Sequence, residues 1–548
     1  MELNNLSATT SMAVALAAIF VIAVLRSVVC SPRGGRKKPL RLPPGPRGWP
    51  VFGSLGALTG PLPPHRALAA LAARYGPLMH LRLGSHHAVV ASSAHTARLV
   101  LKTHDLALAD RPRTAAGEIT SYGYLGIVHT PYGAYWRMAR KLCATELFSA
   151  RRVDSFARVR DEEMRALARG VFDDAAHRAE GVGSHVAVRE HLARLTLRNI
   201  LRMAVGEKWS GCYGSAEGAA FRGALDEAFA VTGAVSNVGE WVPWLGWLDV
   251  QGHVRRMKAL KAMFDRFYEQ ILHEHEERRR EKAAGEAFEA RDLVDVLLQR
   301  VEEDKVNDDN TEAEAEARLT RDGVKAFIQD IIAGGTESSA VTMEWAMTEL
   351  LRRPDAMAAA TDELDRVVGR ERWVTERDLP DLPYLDAVVK ETLRLHPVGP
   401  LLVPHHARED VAVGGYDVPA GARVLVNVWA VARDPASWPD APEAFRPERF
   451  LMMGRGVDVD VRGAHFELLP FGAGRRICPA LGLAMKVVAV GVATMVQRFQ
   501  WRLPDGVAPE NVSMEEHFGL STRRKVPLVA VAEPRLPARL YVAAAVEK

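Results

Sequence analysis

The stretch Pro470-Phe471-Gly472-Ala473-Gly474-Arg475-Arg476-Ile477-Cys478-Pro479 constrains this 548-residue chain more than any other. It sets one cysteine in a glycine-rich loop, ahead of an apolar segment from Leu481 to Val496 that reads as a helix. Proline suits a first helical position, so Pro479 is expected to open that helix, whose free N–H groups stabilise negative charge on the sulfur. Gly472 and Gly474 allow left-handed backbone that turns loop amides toward it. The other cysteines, Cys30, Cys143 and Cys212, are remote in sequence, whereas zinc or iron–sulfur sites need several ligands at short spacing. A single sulfur remains, as a haem ligand, a nucleophile or a buried structural residue.

The pattern Phe-x-x-Gly-x-Arg-x-Cys, met from Phe471 through Cys478, resembles the haem-ligand loop of the cytochrome P-450 superfamily of haem-thiolate monooxygenases. The resemblance makes Cys478 the axial ligand of a haem b iron and gives Phe471, Gly474 and Arg476 places around the cofactor. One departure is Ala480, where the family usually has glycine; its methyl stands where the following helix lies close to the porphyrin.

With 48% hydrophobic and 25% charged residues the chain is globular in composition, and a net charge of +3 gives no case for nucleic-acid binding. Four scattered cysteines exclude a disulfide framework, as suits a cytosol-facing protein. Residues 1–30 are expected to form a membrane anchor. Met12 to Leu25 is unbroken apolar sequence, and as a helix the stretch from Met12 to Cys30 spans roughly 28 Å, close to a bilayer core. The alternative is a cleaved signal peptide; basic residues follow the run rather than precede it, which favours an anchor with the remainder in the cytosol. Residues 31–60 read as a basic, proline-rich hinge around Leu42-Pro43-Pro44-Gly45-Pro46, and 61–548 as the catalytic domain.

Alternation between Tyr75 and Val90 predicts a β-hairpin turning at Gly84-Ser85, and the spacing in Ser155–Phe172, His191–Val205 and His253–Arg280 predicts amphipathic helices. Trp136 and Arg140 share a helix face, so an indole N–H and a guanidinium can meet one anion, such as a haem propionate. The tryptophan cluster from Glu240 to Leu248 reads equally as core or as membrane-interface sequence. The charged run from Glu274 to Arg321 reads as a solvated helix end and linker.

Val324 to Leu351 is the longest predicted helix, yet Gly334 and Gly335 interrupt it at a cost of roughly 1 kcal/mol each, which close approach of a flat ligand would explain. Glu337 and Ser338 follow, an acid and a hydroxyl able to deliver protons. The segment is similar to the superfamily's Gly-x-acid-Thr pattern, with Ser338 in the threonine position. The resemblance further pairs Glu391 and Arg394 with Arg449 in a buried ion triad, and makes His405 a candidate propionate partner.

The implied fold is mainly α with a small β region, haem lying between the long central helix and the Cys478 loop. The implied reaction takes NADPH electrons from a membrane-bound reductase, at the endoplasmic reticulum, and oxidises a small hydrophobic metabolite with O2. Arg140, Lys141, Arg475 and Arg476 offer positive charge to an acidic reductase surface. The resemblance is to a plant microsomal clan containing flavonoid hydroxylases and terpenoid oxidases. By that analogy Ile331, Val398, Leu401, Leu402, Phe518 and Leu520 line the pocket, and their apolarity favours a terpenoid alcohol over a flavonoid. A non-oxygenating isomerase or dehydratase, or a haem-binding protein, stands as a further alternative.

Overall fold

In a computed structural model of the chain, the described residues are Ile19, 39–177, 185–210, 216–233, 237–282, 289–306, 317–451 and 459–542. The expected anchor, Ile19 apart, lies outside them. From residue 41 the hinge is docked against the domain: the His80 amide donates to the Pro44 carbonyl, and the Asp417 amide to that of Arg41.

The hairpin forms as expected, from β1 (Leu78–Leu83) and β2 (His86–Ala91). It extends into a four-stranded sheet in which β2 runs parallel to Arg423–Val426 and that strand pairs antiparallel with His405–His406. We label these β3 (His405–His406) and β4 (Arg423–Val426). A two-stranded hairpin, β5 (Glu516–Phe518) and β6 (Thr522–Arg524), lies apart from it.

Helices make up most of the rest. Those that position the site are α1 (Ala134–Leu142), α2 (Val188–Val205), α3 (His253–Lys282), α4 (Leu293–Val306), α5 (Arg321–Arg352), α6 (Pro383–Leu395) and α7 (Leu481–Arg498). The central helix α5 is fixed at its start by Thr320, whose side chain accepts from the Gly323 amide. It crosses the core with Phe327, Met343 and Trp345 fully buried and packs along α2 and α7. Among the described residues α7 alone is long and apolar enough to cross a membrane, but most of it is buried in the core.

Two sequence expectations need correction, those for Pro479 and for the charged run, and the tryptophan cluster, read either way, proves mixed. Pro479 does not open α7: the cap is Ala480, whose backbone (φ −101°, ψ 20°) stays outside the helical region while its amide turns back to the cysteine sulfur. The tryptophan cluster divides, with Trp241 buried beneath Arg423 and Trp247 81% exposed. The charged run is not all solvated. His275, Asp292 and Asp295 form a buried cluster joining α3 to the start of α4, because an imidazole and a guanidinium from Arg278 match the two carboxylates.

Candidate functional site

A cavity of about 530 Å³ opens between α5, the loop 470–480 and β5–β6. Cys478 lines it. The loop is closed by a hydrogen bond from the Cys478 amide to the Phe471 carbonyl, 3.0 Å. Gly472 and Gly474 both have positive φ, +71° and +67°. Gly474 is not in the cavity wall; its missing Cβ leaves room for the Leu101 carbonyl, which a methyl would meet at 2.2 Å. In the protein alone, burial raises the thiol's pKa, against the pull of the Ala480 amide and of Arg140. Helix-end stabilisation is thus outweighed by desolvation until a cation meets the sulfur. Ala480 has an ordinary backbone conformation that needs no glycine.

To the same cavity α5 contributes Asp330, Ile331, Gly334 and Ser338. The two glycines have different reasons. A Cβ on Gly334 meets nothing within 4 Å, so that position fronts open cavity; one on Gly335 would lie 2.7 Å from Ile200 of α2. Only the first is explained by a flat ligand, the second by close helix packing. The Ser338 hydroxyl donates to the Gly334 carbonyl, 2.7 Å. Glu337 does not join it: adjacent residues stand roughly 100° apart around a helix, and the Glu337 carboxylate faces Arg523 of β6 at 3.4 Å, away from the cavity wall. Burial raises its pKa, opposed by Ser521 and Arg523.

At one end of the cavity the basic groups gather. The Arg476 guanidinium stacks 4.6 Å over Trp136 and donates through Nε to Ala109 O (2.8 Å) and through Nη2 to Thr130 O (2.7 Å). Its Nη1 is buried without a partner, as is His129 Nδ1. Arg140 Nη1 donates to Ile477 O, 2.6 Å. His405 Nδ1 bonds to Leu108 O at 2.9 Å, and burial with neighbouring Arg111 pushes its pKa down to about 3. The neutral ring therefore presents Nε2 as an acceptor, and only a protonated His405 can donate to an anion. Arg111, which precedes a proline in an irregular loop, was not legible as a site residue, and His129, within the 115–130 loop that the family resemblance brings to the pocket, carries no motif that marks it out. Of the expected reductase-facing cations, Arg140 and Arg476 turn inward to the cavity, Lys141 is exposed, and Arg475 pairs with Asp105 at 2.8 Å while remaining largely exposed.

The features fit a dianionic porphyrin: among the described residues, an unpaired guanidinium nitrogen of Arg476 and an unpaired imidazole nitrogen of His129, with a bare Gly334 and Cys478 in the lining of one cavity. Phe471, Trp136, Arg140, His405 and Arg476 all line this space. Behind it, Glu391 accepts from Arg394 Nε (2.7 Å) and Nη2 (2.8 Å), from Arg449 Nε (2.9 Å) and from the Arg446 amide (2.8 Å). The remaining pocket residues, Ile331, Val398, Leu401, Leu402, Phe518 and Leu520, all face the cavity. The same wall carries a carboxyl, that of Asp330.

Comparison with known proteins points the same way. The family model "Cytochrome P450" matches residues 43–529. Trimethyltridecatetraene synthase of Zea mays is 77% identical over 536 residues, covering 97% of this chain and 95% of that protein. Dimethylnonatriene synthase of Zea mays is 76% identical over 540 residues, covering 98% and 99%. Flavonoid 3'-monooxygenase of Petunia hybrida is 42% identical over 511 residues, covering 92% and 95%. A solved zebra fish cytochrome P450 described with progesterone superposes with a TM-score of 0.68 at 27% identity, covering 86% of this chain and 100% of that one. A cysteine loop facing a glycine-bearing central helix, with basic groups set for two carboxylates between them, is thus accounted for: the chain belongs to the cytochrome P450 family of haem-dependent monooxygenases.

Proposed function

We propose that this protein oxidises acyclic terpenoid alcohols, with Cys478 ligating the haem iron and NADPH electrons arriving through a flavoprotein reductase at the endoplasmic reticulum membrane. The observation that carries the reading is the distribution of polarity in the cavity. Basic groups cluster around Trp136, where carboxylates of the cofactor would take them up, while Ile331, Val398, Leu401, Leu402, Phe518 and Leu520 give the cavity its apolar lining. A flavonoid would leave several hydroxyls unpaired there, whereas a flexible hydrocarbon chain with one hydroxyl would not.

Haem bound at Cys478 supplies dioxygen activation, which the thiolate favours by donating electron density. The protein's own part is positional. Arg476, Trp136, Arg140 and Arg111, with His129, orient the cofactor through its carboxylates, and His405, neutral in the protein alone, joins them only where an adjacent carboxylate favours its protonated form. The Ser338 hydroxyl holds a proton at the cavity wall; Glu337, one residue earlier and turned toward Arg523, can replenish it only across intervening water. Lys141 and Arg475 remain outside to meet an acidic partner.

The two maize relatives are named for hydrocarbons of sixteen and eleven carbons. Each is four short of a whole number of five-carbon isoprene units. For this chain we infer a carbon–carbon cleavage that would account for such a deficit: the bond to the carbinol carbon of a tertiary alcohol breaks, a four-carbon carbonyl compound leaves, and a new alkene forms. One O2 and one NADPH are consumed, both oxygen atoms leaving as water. Membranes containing the protein and a reductase, given NADPH, O2 and a panel of terpene alcohols and flavonoids, test this by product mass spectrometry. Shortened hydrocarbons are expected, and Cys478→Ser should abolish both them and the thiolate signature of the reduced carbon-monoxide spectrum. Hydroxylated flavonoids alone would make the protein a flavonoid hydroxylase instead.

A further inference from the structure

Asp330 is a carboxyl with no cationic partner in the wall of an apolar cavity. It lies on the cavity face of α5 about one helical turn before Gly334 and two before Ser338, so by helical rise its backbone is roughly 6 Å from the first and 12 Å from the second. Its Oδ2 accepts from the Val128 amide at 3.1 Å, and the Ile127 amide points to the same group. The loop presses close: a Cβ on Gly126 would stand 2.4 Å from Oδ2. That loop is held from its other side by Arg111, which donates through Nε to Val128 O (3.0 Å) and through Nη1 to Val403 O (2.7 Å).

Two amides do not saturate a carboxyl group, which offers about four acceptor sites when ionised, or a donor and acceptors when protonated. Part of the Asp330 side chain still opens into the cavity. Glu240, the other acid in the wall, faces Arg423 at 3.8 Å, whereas no arginine or lysine contributes to the charge environment of Asp330. Burial raises its pKa to about 6, so it can be neutral and donate, or ionised and accept, near neutral pH.

We propose that Asp330 is the alcohol-recognition residue of the substrate cavity: its carboxyl hydrogen-bonds the hydroxyl of an acyclic terpenoid alcohol and so fixes which stretch of the chain lies over Gly334. The inference rests on the terpenoid-alcohol reading above and adds the residue that sets register. A bare hydrocarbon chain in an apolar slot has no preferred position along it; a single polar anchor one turn from the reaction centre supplies one. The anchored hydroxyl leaves the carbinol carbon and its neighbours nearest Gly334, where the proposed cleavage needs them.

The test uses the haem-loaded full chain and two probes, a fifteen-carbon acyclic terpene tertiary alcohol and its O-methyl ether, whose affinities are read from substrate-induced shifts of the haem absorption band. Above about pH 7, where Asp330 is ionised and only accepts, the wild type should bind the alcohol about tenfold more tightly than the ether, the worth of one well-made hydrogen bond to a group that is otherwise left unpaired. Asp330→Ala should bring the two within about twofold by weakening the alcohol alone, and Asp330→Asn, which keeps an acceptor for the loop amides but turns only a donor to the cavity, should lose the preference as well, since an ether oxygen accepts from a donor as an alcohol oxygen does. Equal weakening of both probes in Asp330→Ala would make Asp330 a loop staple and overturn the assignment. The comparison of probes on the wild type does not depend on any variant folding: a wild type that converts the alcohol yet binds both probes alike overturns the role of Asp330 and leaves the reaction standing, while one that neither binds nor converts the alcohol overturns both.

Discussion

The Arg476 guanidinium lies 4.6 Å from the Trp136 ring, with its Nη1 buried and unpaired at the cavity wall. Two of its three nitrogens are spent on the Ala109 and Thr130 carbonyls, which fix the plane of the group over the indole. The third is left for an anion from the cavity. Burial lowers the pKa of Arg476 to about 10, so it still carries its charge at neutral pH.

Replacing Arg476 by leucine should therefore cost haem retention more than it costs the fold. A buried charge-assisted hydrogen bond and a desolvated cation–π contact are each worth about 2 kcal/mol. The ratio of haem absorbance to protein absorbance after gel filtration measures the loss. Arg476→Lys should rescue little, since an ammonium cannot serve both carbonyls and an anion in a fixed plane.

The adjacent glycines of α5 should respond in opposite ways. Gly334→Ala meets no protein atom and gains helix propensity of roughly 1 kcal/mol, so the haem-free protein should melt at a higher temperature while the haem-loaded form binds substrate more weakly. Gly335→Ala drives a methyl to 2.7 Å from Ile200 and should destabilise both forms by about 1–3 kcal/mol. Adding Ile200→Ala should recover much of that loss, which thermal melts of the double variant will show.

Glu391 holds two arginines and a backbone amide with two oxygens, and it is fully buried. Glu391→Gln leaves both guanidinia without a counter-charge, and breaking such a buried group by removing one partner costs about 3–5 kcal/mol. Chemical denaturation of the haem-loaded protein should reveal a loss of that size, with the thiolate spectrum giving way at lower denaturant.

The contact between α3 and α4 should be pH-sensitive. Burial tends to lower the pKa of His275, but its hydrogen bond to Asp292, at 2.9 Å, and the Ile271 carbonyl, at 2.8 Å, outweigh this and raise it. Both ring nitrogens face acceptors, so the imidazolium is the form that satisfies them. The stabilisation is fully present below the unfolded value of about 6.5 and is lost as pH rises through the raised folded value. Melting temperature should fall across that window in the wild type, and the part of the slope owed to this group should vanish in His275→Phe.

Sequence alone determined the cysteine loop, the central helix and the hairpin, because each is coded locally. A lone cysteine after glycines and before an apolar helix, a long run of helix-forming residues broken by Gly334-Gly335, and alternating strands about Gly84-Ser85 need no distant partner to be read. It also brought Trp136 and Arg140 onto one helical face and made the pocket residues apolar. The tertiary fold decided the rest. Which glycine faces a ligand depended on α2 lying against Gly335, and the separation of Glu337 from Ser338 depended on where β6 places Arg523. Arg111 and His129 entered the site because an irregular loop folds back over the cavity. Asp330 gained its place because burial without a counter-ion is a property of surroundings assembled from remote segments, which no spacing in the chain records.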